Sequence, residues 1–105
     1  MSRPLVSICI PTRNRAAALA ACLENIRQQD YEPLDILISD NGSTDETRSI
    51  GEAAAQRDSR IRYVRHPEDI GLYANHNFCL EASRGEFLCF FHDHDERDPE
   101  LISAY

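Results

Sequence analysis

Apolar residues along this chain gather in four short runs, and the stretches between them carry helical spacing. Residues 5–10 (Leu-Val-Ser-Ile-Cys-Ile) form a β-branched run stopped by Pro11. Residues 34–39 form a second, with Ile36, Leu37 and Ile38 continuous, and residues 61–64 a third. Residues 87–91 (Phe-Leu-Cys-Phe-Phe) are apolar without a break and read as a strand buried on both faces. Within residues 16–29, Leu19, Cys22, Leu23 and Ile26 recur at the period of an amphipathic helix. The capping-box pattern Ser43-Thr-Asp-Glu46 opens a second helix with Ile50, Ala53 and Ala54 as its apolar stripe. A third, over residues 72–83, carries Leu72, Phe78, Leu80 and Ala82 and closes at Arg84-Gly85. Asp98-Pro99-Glu100 supplies the cap, proline and acid that open a fourth.

Strands alternating with helices across short connections predict an α/β protein with an open parallel sheet and right-handed crossovers. Such sheets bind ligands at the carboxyl edge of their strands. Three loops are expected to converge there: residues 11–15, 40–43 and 92–98. Asp40-Asn-Gly42 is a turn signal. His92, Asp93, His94, Asp95 and Glu96 are five metal-ligand side chains in succession, placed directly after a buried strand. A solvated acidic loop is the plainer reading of that cluster; its position after the strand favours a ligand site.

Composition narrows the choice. At 105 residues the chain is one domain or part of one. A net charge of −7 argues against binding a nucleic-acid backbone and fits a site that collects a divalent cation. No apolar run approaches the roughly 20 residues of a membrane span. The first residues lead straight into a strand pattern and not into a signal peptide, so a cytoplasmic location is expected. Cys9, Cys22, Cys79 and Cys89 have no C-x-x-C spacing and read as small buried hydrophobes of a reducing compartment. All 11 basic residues are arginine, which excludes P-loop and Schiff-base lysine chemistry. The first strand also lacks the paired acids of a response-regulator-like receiver. The residues alone therefore point to a nucleotide- or phosphate-type ligand at the carboxyl edge, with a metal.

Three segments in order carry a resemblance: Val6-Ser-Ile-Cys-Ile-Pro-Thr-Arg-Asn-Arg15, Ile36-Leu-Ile-Ser-Asp-Asn-Gly-Ser-Thr-Asp45, and Gly71 onward through Asn77, Gly85-Glu-Phe-Leu and Asp93-His-Asp95 to Pro99. Over nearly its whole length the chain resembles the N-terminal half of family 2 glycosyltransferases, inverting enzymes of GT-A fold. The resemblance implies a three-layer α/β/α Rossmann-like sheet of strand order 3-2-1-4. It implies a site for a nucleotide-diphosphate sugar, a UDP-sugar being one candidate donor, and an acceptor of unknown kind. Pro11, Thr12 and Arg13 would border the base, and Asp40 or Asn41 would hold base or ribose. His76, on a helix turn facing the same edge, is a further candidate contact, with simple exposure as its plainer reading. Asp93, with His94 and Asp95, would hold Mn²⁺ or Mg²⁺ against the diphosphate, where leaving-group charge develops.

The chain departs from the family pattern at Asn41, where members usually carry a second acid, and at His94, where an acid most often meets the metal. Which two of Asp93, His94 and Asp95 bind stays open. Family members run to about twice this length or more, and their catalytic base follows the metal motif. Residues 1–105 are thus expected to be a donor-binding domain lacking the acceptor half, with no catalytic residue assigned. A non-catalytic nucleotide-binding or assembly module is the competing function. A homo-oligomer is also expected, because the strand over residues 87–91 would leave an unpaired apolar edge.

Overall fold

A computed structural model describes residues 4–28 and 33–90. They form β1 (Val6–Thr12), α1 (Ala16–Arg27), β2 (Leu34–Asn41), α2 (Thr47–Arg57), β3 (Ile61–His66), α3 (Leu72–Ala82) and β4 (Phe87–Phe90). All four strands run parallel in one sheet of order β3-β2-β1-β4, as expected.

The two central strands are buried at every position, and the alternation of their side chains builds two cores. Val6, Ile8 and Ile10 of β1, with Leu34, Ile36 and Ile38 of β2, meet Leu19, Cys22 and Ile26 of α1, and Ile50 of α2 packs on the same cluster. On the other face, Cys9 and Leu37 meet Cys79, with Phe78 and Ala82 of α3 alongside. Helices on both faces make the three-layer arrangement. At about 1.5–3 kcal/mol for each fully buried aliphatic side chain, the first cluster is the larger source of adhesion between layers. The Cys9 thiol donates to the Cys79 carbonyl; this pairing and burial push its pKa up, so it stays a small neutral core group.

Several elements differ from their sequence reading. β1 continues through Pro11 and Thr12, and β2 through Asp40 and Asn41, because paired neighbours extend them: Thr12 lies beside Asp40, Asp40 beside Arg65, and Asn41 beside His66. α2 begins at Thr47 and not in the capping box. Ser43 Oγ is taken by the Asn14 N–H at 2.8 Å, and Asp45 Oδ1 accepts the Thr47 N–H at 2.9 Å instead. The buried stripe of α2 is Thr47, Gly51 and Ala54, with Ala53 outside it. Gly51 lies against the Tyr63 ring, where a Cβ would sit 2.3 Å from a ring carbon. α3 turns Asn75 and Cys79 inward and leaves Leu72 and Leu80 exposed. β4 is half-buried and not fully enclosed: Phe87 stands at its exposed start, Cys89 packs against the first core, and Leu88 and Phe90 pack against the second.

Candidate functional site at the carboxyl edge of the sheet

Because β1, β2 and β3 end side by side, the loops that leave them are neighbours. Asn14 has a left-handed backbone, φ 52°, which asparagine tolerates better than most residues. From there its Oδ1 accepts the backbone N–H groups of Thr44 at 2.7 Å and Asp45 at 3.3 Å. Arg15 N–H donates to Thr47 Oγ1 at 3.2 Å. The loops after β1 and β2 thus behave as one unit. Gly42 follows at φ 71°, and a Cβ on it would lie 2.8 Å from the backbone of Glu68. Only glycine lets the third loop, residues 67–71, close onto the second.

Asp69 completes the junction. Its Oδ1 accepts from Asn41 Nδ2 and from the Gly71 N–H, both at 2.8 Å, while Asn41 Oδ1 accepts the Ile70 N–H at 2.8 Å. Arg13 Nε stands 3.6 Å from Asp69 Oδ2, both side chains half-exposed. The Gly71 amide holds the Asp69 carboxyl below its usual range against desolvation, with smaller help from Asn41 and the Arg13 charge.

Pro11 and Thr12 are buried in the last rungs of β1. Asp40 is 0% exposed. Its Oδ1 accepts the Ser43 N–H at 3.0 Å and its Oδ2 the Tyr63 hydroxyl, so both oxygens are engaged within the fold. Burial, and then that bond, push the Tyr63 phenol up. Asn41 is buried as well. His76, half-buried on α3, stacks on Phe90 at the end of β4 with ring centroids 5.1 Å apart. Beneath the edge, Ser39 Oγ donates to Asn75 Oδ1 and lies 3.0 Å from His66 Nε2, so the α3 face is locked too.

Pro11, Thr12, Arg13, Asp40 and Asn41 therefore come together at one edge, whereas His76 lies against Phe90, which pairs with Cys9 three residues short of Thr12. Asp93, His94 and Asp95 lie outside the described residues. Among the described residues, no group of three or more His, Cys, Asp or Glu is placed to hold a metal ion. The sequence reading missed Asn14, Tyr63, Arg65 and Asp69. Asp69 had a local signal, an aspartate two residues before a glycine whose N–H it captures. Tyr63 and Arg65 had none, since their contacts cross between elements. Arg65 Nη2 donates to the Ser43 carbonyl at 3.1 Å. A separate cavity of about 470 Å³ lies between α1 and α2 toward the opposite edge, lined by Leu23, Ile26, Ile50, Ala54 and Ile61 among others, and holds none of the candidate residues. Chemically, the edge offers an accessible guanidinium beside rigid amide and carboxylate groups: an arrangement for holding a polar, anionic ligand.

The chain is similar to known proteins over most of its length. It is 35% identical over 94 residues to the GalNAc(5)-diNAcBac-PP-undecaprenol β-1,3-glucosyltransferase of Campylobacter jejuni, covering 89% of this chain and 30% of that one. It is 36% identical over 90 residues to a PGL/p-HBAD biosynthesis glycosyltransferase of Mycobacterium bovis, covering 86% and 35%. Among solved structures, the mannosyltransferase PcManGT of Pyrobaculum calidifontis, in complex with GDP-Man and Mn²⁺, superposes with TM-score 0.82 at 28% identity over 90% of this chain and 29% of that one. Staphylococcus aureus TarS 1-349 in complex with UDP-GlcNAc reaches TM-score 0.86 at 22% identity over 94% and 29%, a likeness of fold. The chain thus spans about a third of the length of the curated relatives it matches. No helix among the described residues is long and apolar enough to cross a membrane. The family model for glycosyl transferase family 2 matches residues 7–104, and the chain belongs to that family.

Proposed function

We propose that residues 1–105 are the donor-binding domain of a cytosol-facing glycosyltransferase that passes a sugar from a nucleoside diphosphate to an acceptor hydroxyl with inversion. One observation carries this reading: the loops after β1, β2 and β3 are locked into a single rigid edge that leaves Arg13 accessible. A rigid edge loses little entropy on binding. Pro11, Thr12 and Arg13 border the base in this reading, Asn41 orients base or ribose, and His76 flanks them. Asp40, its oxygens engaged by Ser43 and Tyr63, acts by holding the β2 turn in shape.

β4 runs parallel to β1 with Phe90 level with Cys9, and the oxygen- and nitrogen-donor trio Asp93, His94 and Asp95 follows it in sequence. That donor set suits Mn²⁺ or Mg²⁺, and PcManGT, the 28%-identical neighbour, was solved with Mn²⁺ and a nucleotide sugar. A cation held there would neutralise charge on the departing diphosphate. The acceptor-binding part and the general base lie outside these residues, and self-association through the β4 edge remains part of the proposal, to be read by light scattering across a concentration series. The functional test is calorimetry of UDP and GDP with Mn²⁺ and with EDTA. Binding that is enhanced by Mn²⁺, with the enhancement lost in Asp93→Ala/Asp95→Ala, supports the reading. Equal affinity in EDTA and Mn²⁺ removes the metal from it, and absence of binding to either nucleotide removes the reading itself.

A further inference from the structure

Asp69 makes contacts to three segments that are far apart in sequence. One oxygen accepts both the Asn41 side-chain amide and the Gly71 backbone amide, and the other faces Arg13 at 3.6 Å. The end of β2, the start of α3 and the loop after β1 therefore meet at a single carboxylate. Asn41 completes a closed ring by accepting the Ile70 N–H, so it must donate on one side and accept on the other. An aspartate at position 41 could accept from Ile70 but could not donate to Asp69. It would place two carboxylate oxygens at a hydrogen-bond distance, where like charges disfavour each other.

We infer that Asp69 is the positioning residue of the nucleotide edge, fixing the Asn41 amide and the Arg13 guanidinium relative to each other, and that it dictates a donor at position 41. The inference rests on the nucleotide-binding reading of this edge. It has a specific consequence: the pair can be inverted. Exchanging the two side chains would keep the cross-link with its polarity reversed. Because a single Asp69 oxygen serves both donors in the wild-type chain, the amide then at position 69 would have to turn, its nitrogen donating to the carboxylate at position 41 and its carbonyl taking the Gly71 N–H.

The test compares the wild-type chain with Asn41→Asp, Asp69→Asn, Asp69→Ala and Asn41→Asp/Asp69→Asn. UDP and GDP affinity is read by calorimetry, and hydrogen exchange is read at the Ile70 and Gly71 amides. Asn41→Asp and Asp69→Ala are expected to weaken nucleotide binding at least about tenfold and to speed exchange at both amides. Asp69→Asn alone should show a smaller loss, about threefold, because it keeps the acceptor for Gly71 and removes only the charge facing Arg13. The double variant should recover to within about threefold of wild type in affinity and regain slow exchange. A double variant as impaired as Asn41→Asp in both readouts, or an Asp69→Ala chain that binds nucleotide like wild type, overturns the inference. A wild-type chain that binds neither nucleotide while the swap still restores slow exchange overturns the nucleotide reading, and with it Asp69's place in a binding site, but leaves the cross-link itself confirmed. Those two failures are therefore distinguishable.

Discussion

An arginine–aspartate pair stands at each end of this sheet, and the two are built differently. At the amino edge, Arg62 grips Asp35 with two hydrogen bonds, Nε to Oδ1 at 3.0 Å and Nη2 to Oδ2 at 2.9 Å. The Asp35 side chain is only 8% exposed. Ser7 Oγ and the Arg84 N–H also donate to Asp35, and Arg62 reaches the Ala82 carbonyl, so strands β1, β2 and β3 and the end of α3 are tied together. At the carboxyl edge, Arg13 and Asp69 stand 3.6 Å apart, each 48% exposed, in a single loose contact. The buried, saturated pair has its hydrogen bonds directed inward and is structural. The half-exposed pair keeps a guanidinium that a ligand can claim at little cost to the fold.

The largest effect should come from breaking the amino-edge pair. Arg62→Ala leaves Asp35 buried beside lost partners, and we expect a loss of about 3–5 kcal/mol of stability in urea denaturation. Arg13→Ala should stay within about 0.5 kcal/mol of wild type in the same measurement while weakening nucleotide binding. If the two substitutions destabilise alike, the contrast between the edges is wrong.

Next in size is the Tyr63 column that supports Asp40. Tyr63→Phe strips a donor from a fully buried carboxylate and should cost about 1–3 kcal/mol. Gly51→Ala would ordinarily gain up to about 1 kcal/mol from helix propensity. Here the methyl meets the Tyr63 ring, so the expected sign is a net loss of about 1–3 kcal/mol. A stabilised Gly51→Ala variant in thermal melts would show that the ring is not packed as described.

A smaller effect concerns pH. Burial opposes ionisation of Asp35, yet the donors Arg62, Ser7 and Arg84 outweigh it and leave its pKa lowered in the folded chain. A depressed folded pKa means that its contribution is fully present above the unfolded value, about 3.9. It is lost as pH falls from there through the folded value. Stability of the wild-type chain should therefore drop over that acid range, and Asp35→Asn should flatten the slope there. An unchanged slope would mean that Asp35 is not the ionised partner of Arg62.

Much of the fold was legible in the sequence. The four strands followed from short apolar runs and the three helices from period-3.6 patterning. The turn at Gly42 was legible as well, whereas Pro11, read as the stop of the first strand, lies inside β1. What the sequence hid depends on pairing between distant segments. Asp40 and Asn41 read as turn residues, yet neighbouring strands draw them into β2. Leu72 and Leu80 read as core, yet α3 presents Asn75 because Ser39 supplies its polar partner. Ser43 read as a helix cap, yet Asn14 claims it from another loop. At the carboxyl edge, Arg13 and Asn41 were named from the family resemblance, whereas Asp69 carried only its local signal two residues before a glycine, and its links to Asn41 and Arg13 appear only once the loops meet. The expected metal ligands Asp93, His94 and Asp95 fall outside the described residues.

The most direct measurement is a titration of the ¹⁵N-labelled chain with UDP and with GDP in the presence of Mg²⁺, following backbone amides at both edges. Saturable shifts are expected for at least one nucleotide at Arg13, Asn14, Asn41, Gly42, Ile70 and Gly71, with Ser7, Asp35, Arg84 and Gly85 unmoved. Shifts centred on the amino edge, or on the cavity between α1 and α2 at Leu23, Ile50 and Ala54, would contradict a nucleotide site at the carboxyl edge.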